Sequence, residues 1–115
     1  MKNAKIPSIT QTKWVLETLY GDKINYGAGQ AAAFMEFKED KVNGYGGCNK
    51  FFGGYSLDGT SLDFGMLGST KMACPTSDLE GKFMKALDET KSFAVEDGQL
   101  ALKSGDATVA TFKPE

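Results

Sequence analysis

Short runs of alternating apolar and polar residues, separated by glycine-containing turns, fill most of the sequence beyond the first dozen residues. This period of two is typical of β-strands that bury one face. In one such run Ala33, Met35 and Phe37 share one face, and Glu36 lies on the other. We predict a curved, mostly antiparallel sheet of about eight short strands, in which glycines mark sharp bends or close backbone approach.

The segment from Ser77 to Thr90 follows a different period. Ser77 and Glu80 have the spacing of a capping box, in which Ser77 caps the helix and Glu80 reaches back to it. Apolar residues then recur at helical spacing on one face: Leu79, Phe83, Ala86 and Leu87. We therefore predict an α+β fold in which one helix near residues 77–90 packs against a barrel-like sheet.

Length and composition predict a single domain. The chain has 115 residues, 41% of them apolar, so it can bury a core of its own. Residues 1–11 are expected to form a flexible tether or a frayed terminus, and residues 12–115 the domain. The opening is too polar for a signal peptide, and no stretch is apolar enough for a transmembrane segment. The protein is expected to be either cytosolic or exported by a signal that this sequence lacks.

Histidine and arginine are both missing: the sequence has no His, and all 13 basic side chains are Lys. This removes histidine-based nucleophile pairs, most zinc sites and most phosphoryl-transfer sites. A formal charge of −2 provides no strong positive field for nucleic acid. We expect no catalytic residues, no metal, no cofactor and no nucleic-acid partner. An enzyme built from carboxylates and lysines is a distant third hypothesis.

Two cysteines, Cys48 and Cys74, form an even pair in a small β-rich chain. In an exported protein they are expected to form a disulfide, which would contribute about 3–4 kcal/mol on the chain-entropy model. In a cytosolic protein they would be two buried thiols. Because neither a CxxC spacing nor a histidine is present, redox catalysis, a zinc ribbon and a cysteine nucleophile all lack their required partners.

Aromatic residues cluster in the glycine-rich stretch. Phe51 and Tyr55 have the parity of the core-facing residues, whereas Phe52 has the parity of Lys50 and is expected to be exposed. An exposed ring beside glycine-flattened backbone is suited to recognising a partner, although single exposed rings are also common. Tyr45 and Phe52 are therefore the candidate binding patch.

Two segments resemble the signature motifs of the META (HslJ-like) domain family. Residues 44–55, GYGGCNKFFGGY, are similar to its glycine-rich motif, and residues 62–74, LDFGMLGSTKMAC, are similar to its second motif. The likeness covers roughly residues 13–112. Besides the two cysteines, the motif positions are Gly47, Asn49, Gly53 and Thr70.

The resemblance implies an α+β fold with a curved antiparallel sheet around one helix, and no established enzymatic activity. It also implies a periplasmic or outer-membrane lipoprotein linked to heat shock and envelope stress, with the lipid anchor on the full-length precursor.

Two functions stay open at this point. The first is a monomeric, non-enzymatic domain that binds an envelope protein or cell-surface component through Tyr45 and Phe52. The second is a small apolar ligand carrier that uses the interior of the sheet. An internal cavity of several hundred Å³, roughly the size of known ligand pockets, would distinguish the carrier.

Overall fold

The computed structural model describes residues 9–26, 31–38, 41–70 and 78–115, apart from the side chains of Gln11 and Asp78. Within these residues a 3₁₀ turn, Ile9–Gln11, precedes ten strands and one helix. The helix α1 is Asp78–Glu89 and lies between the seventh and eighth strands. The strands are β1 Lys13–Leu19, β2 Asp22–Lys23, β3 Phe34–Phe37, β4 Lys41–Tyr45, β5 Lys50–Asp58, β6 Ser61–Phe64, β7 Gly68–Ser69, β8 Ser92–Glu96, β9 Gln99–Ser104 and β10 Ala107–Pro114.

Eight of these strands form a closed antiparallel ring. The order is β10-β9-β8-β6-β5-β4-β3-β1, and a pairing of β1 with β10 closes it, while β2 and β7 pair with β1 and β5. The closing pair runs from Trp14↔Pro114 to Leu19↔Ala110. The predicted α+β fold, with a curved antiparallel sheet and one helix, is confirmed. The two shortest strands come in addition to the eight that form the ring.

The inner face of the ring is filled by side chains from the strands and from α1. Phe83 of α1 is fully buried, with its ring centroid 5.5 Å from that of Phe51 and 5.8 Å from that of Phe112. Ala86 and Leu87, on the same helical face, are also buried, as their spacing predicted. A helix of 12 residues is marginal alone, so packing of this face stabilises α1.

The packed structure extends to Ile9, within the range where a tether is expected. Ile9 is 2% exposed, and its carbonyl accepts a hydrogen bond of 3.0 Å from Nε1 of Trp14. These contacts fix the chain just before β1. Residues 1–8 lie outside the described residues, so the tether over that range stays a prediction.

Two glycines allow close approach around β4 and β5. A Cβ at Gly44 would overlap the carbonyl oxygen of Phe34 and lie 2.6 Å from the ring of Phe51. A Cβ at Gly53 would lie 2.6 Å from the side chain of Leu67 and 2.9 Å from the carbonyl oxygen of Met66. Glycine is therefore required at both positions because a side chain would not fit between the neighbouring atoms, and not because a turn demands it.

We expect Gly44→Ala to lower the free energy of unfolding by about 1–3 kcal/mol, because its Cβ must displace the backbone of β3 and the ring of Phe51. Gly81→Ala is the matched control, because nothing lies within 4 Å of its Cβ on the exposed side of α1. This variant should gain about 0.5–1 kcal/mol from the better helix former. Urea denaturation followed by circular dichroism measures both changes. Unchanged stability of Gly44→Ala would disprove the close approach.

Candidate functional site

A groove of about 460 Å³ lies on the outer face of β3, β4 and β5, opposite the core. Burial alternates along these strands, so every second side chain points away from the packed interior. The outward side chains that line the groove are Phe34, Asn43, Tyr45, Lys50 and Phe52, with Ala31 also contributing. This volume is in the range of known ligand sites.

The strand register arranges these side chains in two rows across the sheet. In the first row Phe34 is opposite Tyr45, and Tyr45 is opposite Lys50. In the second row Glu36 is opposite Asn43, and Asn43 is opposite Phe52. The ring centroids of Phe34 and Tyr45 are 6.4 Å apart, within the range of interacting aromatic pairs. The register therefore places one amide and one ammonium among three aromatic rings, with the Glu36 carboxylate beside the amide.

Phe52 forms an exposed wall of the groove. Its side chain is 53% exposed, which confirms the exposure predicted from its parity. A Cβ at Gly68 on β7 would lie 2.9 Å from the ring, so the ring packs against bare glycine backbone. One part of Phe52 is thereby supported while the rest stays accessible. Tyr45, the other residue of the candidate patch, lines the same groove, and the binding role of both residues stays a prediction.

Lysines at the groove differ in how their charge is compensated. Nζ of Lys13 lies 4.1 Å from the ring centroid of Phe34 and 3.4 Å from a carboxylate oxygen of Glu115. Lys13 is also opposite Glu36 in the pairing of β1 with β3. Lys50 is exposed and forms no ion pair with the residues the structure describes. The one charged side chain in the described lining of the groove is therefore positive, while Glu36 lies beside Asn43 outside that lining.

The turn between β4 and β5 is joined to α1 through one carboxylate. Oε1 of Glu80 accepts hydrogen bonds from the backbone N–H of Asn49 at 2.6 Å and of Cys48 at 3.3 Å. Oε2 accepts a third from Nδ2 of Asn49 at 2.9 Å. Hydrogen bonds to an ionised acceptor are roughly twice as strong as neutral ones. We call this set of contacts among Glu80, Asn49 and Cys48 the Glu80 clasp.

Thr70 completes the hydrogen bonding of Asn49. Its Oγ1 donates to Oδ1 of Asn49 at 2.8 Å and accepts from the backbone N–H of Lys50 at 3.2 Å. Asn49 is only 7% exposed, and a buried amide requires partners at both its donor and its acceptor end. The motif positions Asn49 and Thr70 thus meet at the base of β5.

Gly47 connects the Glu80 clasp to the groove. Its φ of 115° lies in the region that favours glycine. Its carbonyl accepts a hydrogen bond of 3.0 Å from the hydroxyl of Tyr45, and a Cβ on it would lie 3.3 Å from Leu79 of α1. The helix that packs against the core and the tyrosine of the outer groove are therefore both in contact with this turn.

Several of these contacts could not be identified from the sequence. Glu80 was expected to reach back to Ser77, which lies outside the described residues, so the capping box stays a prediction. Its bonds to the β4–β5 turn have no local sequence signal. Phe34 was also missed as a groove residue, although it has the parity of the outward-facing Glu36. Cys74 lies outside the described residues, so its pairing with Cys48 stays a prediction.

The described lining of the groove carries few kinds of chemical group. Its side chains provide rings, one amide and one ammonium. Across residues 9–26, 31–38, 41–70 and 78–115, no three His, Cys, Asp or Glu side chains come together as a metal site. No helix in that part of the chain is long and apolar enough to span a membrane.

Comparisons with known proteins agree on the fold. The family model of the META domain matches residues 7–115. An NMR structure of a protein from Burkholderia xenovorans is similar with a TM-score of 0.73 and 24% identity, covering 100% of this chain and 95% of that one. A second NMR structure is similar with a TM-score of 0.71 and 24% identity, covering 91% and 90%. No curated protein matches the sequence.

We expect Glu80→Gln and Asn49→Ala each to lower the free energy of unfolding by about 1–3 kcal/mol, because both remove hydrogen bonds to a charged group. The double variant should lose less than the sum, since both changes remove the bond between Nδ2 of Asn49 and Oε2 of Glu80. Glu89→Gln is the control in the same helix, because its carboxylate bonds the exposed hydroxyl of Tyr20. Urea denaturation of the four variants measures the coupling, and strictly additive losses would argue against the clasp.

Proposed function

The chain belongs to the META domain family, and from that premise we propose that it is a non-enzymatic binding domain whose working surface is the groove on β3, β4 and β5. Its partner is a protein or cell-surface component of the envelope. The observation that carries the proposal is the convergence of Phe34, Tyr45 and Phe52 on one open groove of about 460 Å³. Grouped exposed rings are typical of interaction sites.

The groove is held in place before any partner binds. The hydroxyl of Tyr45 is bonded to the carbonyl of Gly47, and the ring of Phe52 lies against Gly68. Ordering a mobile side chain on binding costs about 0.5–1.5 kcal/mol. Side chains that are already packed avoid part of that cost, which supports a binding role for this face.

Among the described residues an interior carrier has no comparable support. Phe51, Phe83 and Phe112 are each at most 1% exposed and meet inside the ring. Side chains of the protein thus occupy the space that an apolar ligand would need. We therefore place the partner on the outer face.

We also propose that the protein works as a monomer in the bacterial envelope, as a periplasmic or outer-membrane lipoprotein with a role in heat shock or envelope stress. In that oxidising compartment Cys48 would pair with Cys74. Two observations support the pair: no cysteine among the described residues is free, and the backbone of Cys48 is already fixed by Glu80. A disulfide there would reinforce the Glu80 clasp.

Thiol titration of the denatured protein tests the disulfide. Protein purified from the envelope fraction should show no reactive thiol before reduction and two afterwards. Two reactive thiols before reduction would exclude the pair.

Phe52→Ala tests the groove. Immobilised protein is exposed to envelope extract, and the amount of each retained partner is measured. For this variant that amount should be at least about tenfold lower than for the unchanged protein, because truncating a central aromatic residue removes a hot spot. Met66→Ala is the control, since this methionine is 97% exposed but lines a different pocket, with Leu67 and Met84. Undiminished retention of every partner by the Phe52→Ala, Tyr45→Ala double variant would refute the assignment.

A further inference from the structure

We propose that the occupant of the groove is an extended, proline-containing segment of a partner protein, with an acidic residue placed against Lys50. This inference rests on the proposed function, because it names the class of partner for the same groove. Three features of the outer face support it: the closed backbone of the sheet, the spacing of the rings and the charge at the rim.

The backbone hydrogen-bonding groups beneath the groove are already paired within the sheet. At the groove β3 lies between β1 and β4, β4 lies between β3 and β5, and β5 lies between β4 and β7. A partner therefore cannot add to the sheet here as a further strand, the mode in which main-chain hydrogen bonds supply the affinity. The partner must be recognised by side chains.

A polyproline II segment is an extended ligand that side chains can recognise. It has no internal hydrogen bonds, so its carbonyls are free to accept, and it is largely preformed, so binding loses little entropy. Aromatic-lined grooves bind such segments by packing rings against the prolines. Phe34, Tyr45 and Phe52 provide rings from three adjacent strands.

The dimensions of the first row fit one turn of that helix. From Phe34 to Lys50 the row crosses two strand spacings, or about 9.6 Å in all. Three residues of polyproline II rise about 9.3 Å. A proline packed on Phe34 would thus place the residue one turn later beside Lys50.

Asn43 provides the polar contact within the apolar groove. It lies opposite Phe52 in the second row, and no hydrogen bond to another described residue occupies its carboxamide. Its amide can donate to a carbonyl of the bound segment. An oligosaccharide fits less well, because its described lining has one amide and one ammonium against three outward-facing rings, and many sugar hydroxyls would be left unpaired.

Lys50 gives the groove its preference for an acidic segment. Its ammonium has no ion-pair partner in the described chain, whereas Lys13 is paired with Glu115. A charge at an exposed rim acts mainly on orientation and association rate and is screened by salt. The prolines and the acidic residue should therefore contribute separately to the affinity.

Fluorescence polarisation with labelled synthetic peptides tests the inference on the full chain. The first probe carries two Pro-X-X-Pro units with flanking glutamates. In the second probe lysines replace the glutamates, and in the third alanines replace the prolines. The first probe should bind at least about tenfold more tightly than either of the others, and 0.5 M salt should weaken it.

Variants of the protein separate the two contributions. Phe52→Ala should lower the affinity for the first probe at least about tenfold. Lys50→Gln should reduce the preference for glutamate over lysine and keep the preference for proline. Lys41→Gln is the matched control, because Lys41 is also exposed and lies on β4 outside the groove lining.

A fourth probe, tetragalacturonic acid, distinguishes failure of the inference from failure of the proposed function. If it binds the groove while the acidic proline peptide does not, the peptide assignment is wrong and the groove still binds. If the three peptides bind equally, or Lys50→Gln leaves the charge preference intact, the inference is also wrong. If Phe52→Ala changes neither peptide binding nor partner retention, both the inference and the proposed function fail.

Discussion

The Glu80 carboxylate links the inside of this molecule to its outside. It belongs to α1, which packs within the ring through Phe83, and it holds the turn that leads into β5 by three hydrogen bonds to Cys48 and Asn49. Because Lys50 follows Asn49 directly, the position of the helix determines where β5 begins and where its outward side chains stand. An unpaired buried polar group costs about 1–3 kcal/mol, so the clasp and the core stabilise each other.

Glycines determine how the two faces of this sheet differ. Gly44 lets β4 lie close to the ring of Phe51 on the inner face. Gly68 lets the ring of Phe52 pack against the backbone of β7 on the outer face. Consecutive residues of β5 therefore point large rings in opposite directions, one into the core and one into the groove. The inner rings stabilise the fold, and we assign the outer rings to binding.

Local patterns in the sequence predicted which side chains are buried. The period of two correctly placed Phe51 inside and Phe52 outside, and the helical period correctly placed Phe83 and Leu87 in the core. Contacts between distant residues left no such pattern: ring closure joins β1 to β10 at opposite ends of the chain, and the Glu80 clasp joins backbone positions 31 residues apart. Phe34 could be recognised as outward-facing, but its position opposite Tyr45 required the strand register.

The central claim is that this protein binds on the outer face of a ring whose interior is packed. NMR titration of labelled protein with a library of small aromatic fragments tests it without a known partner. Shift changes should concentrate at outward residues such as Phe34, Asn43 and Phe52, and inward residues such as Met35 and Phe83 should stay unchanged. Fragments that instead perturb Met35 and Phe83, and leave the outer residues unaffected, would contradict the account.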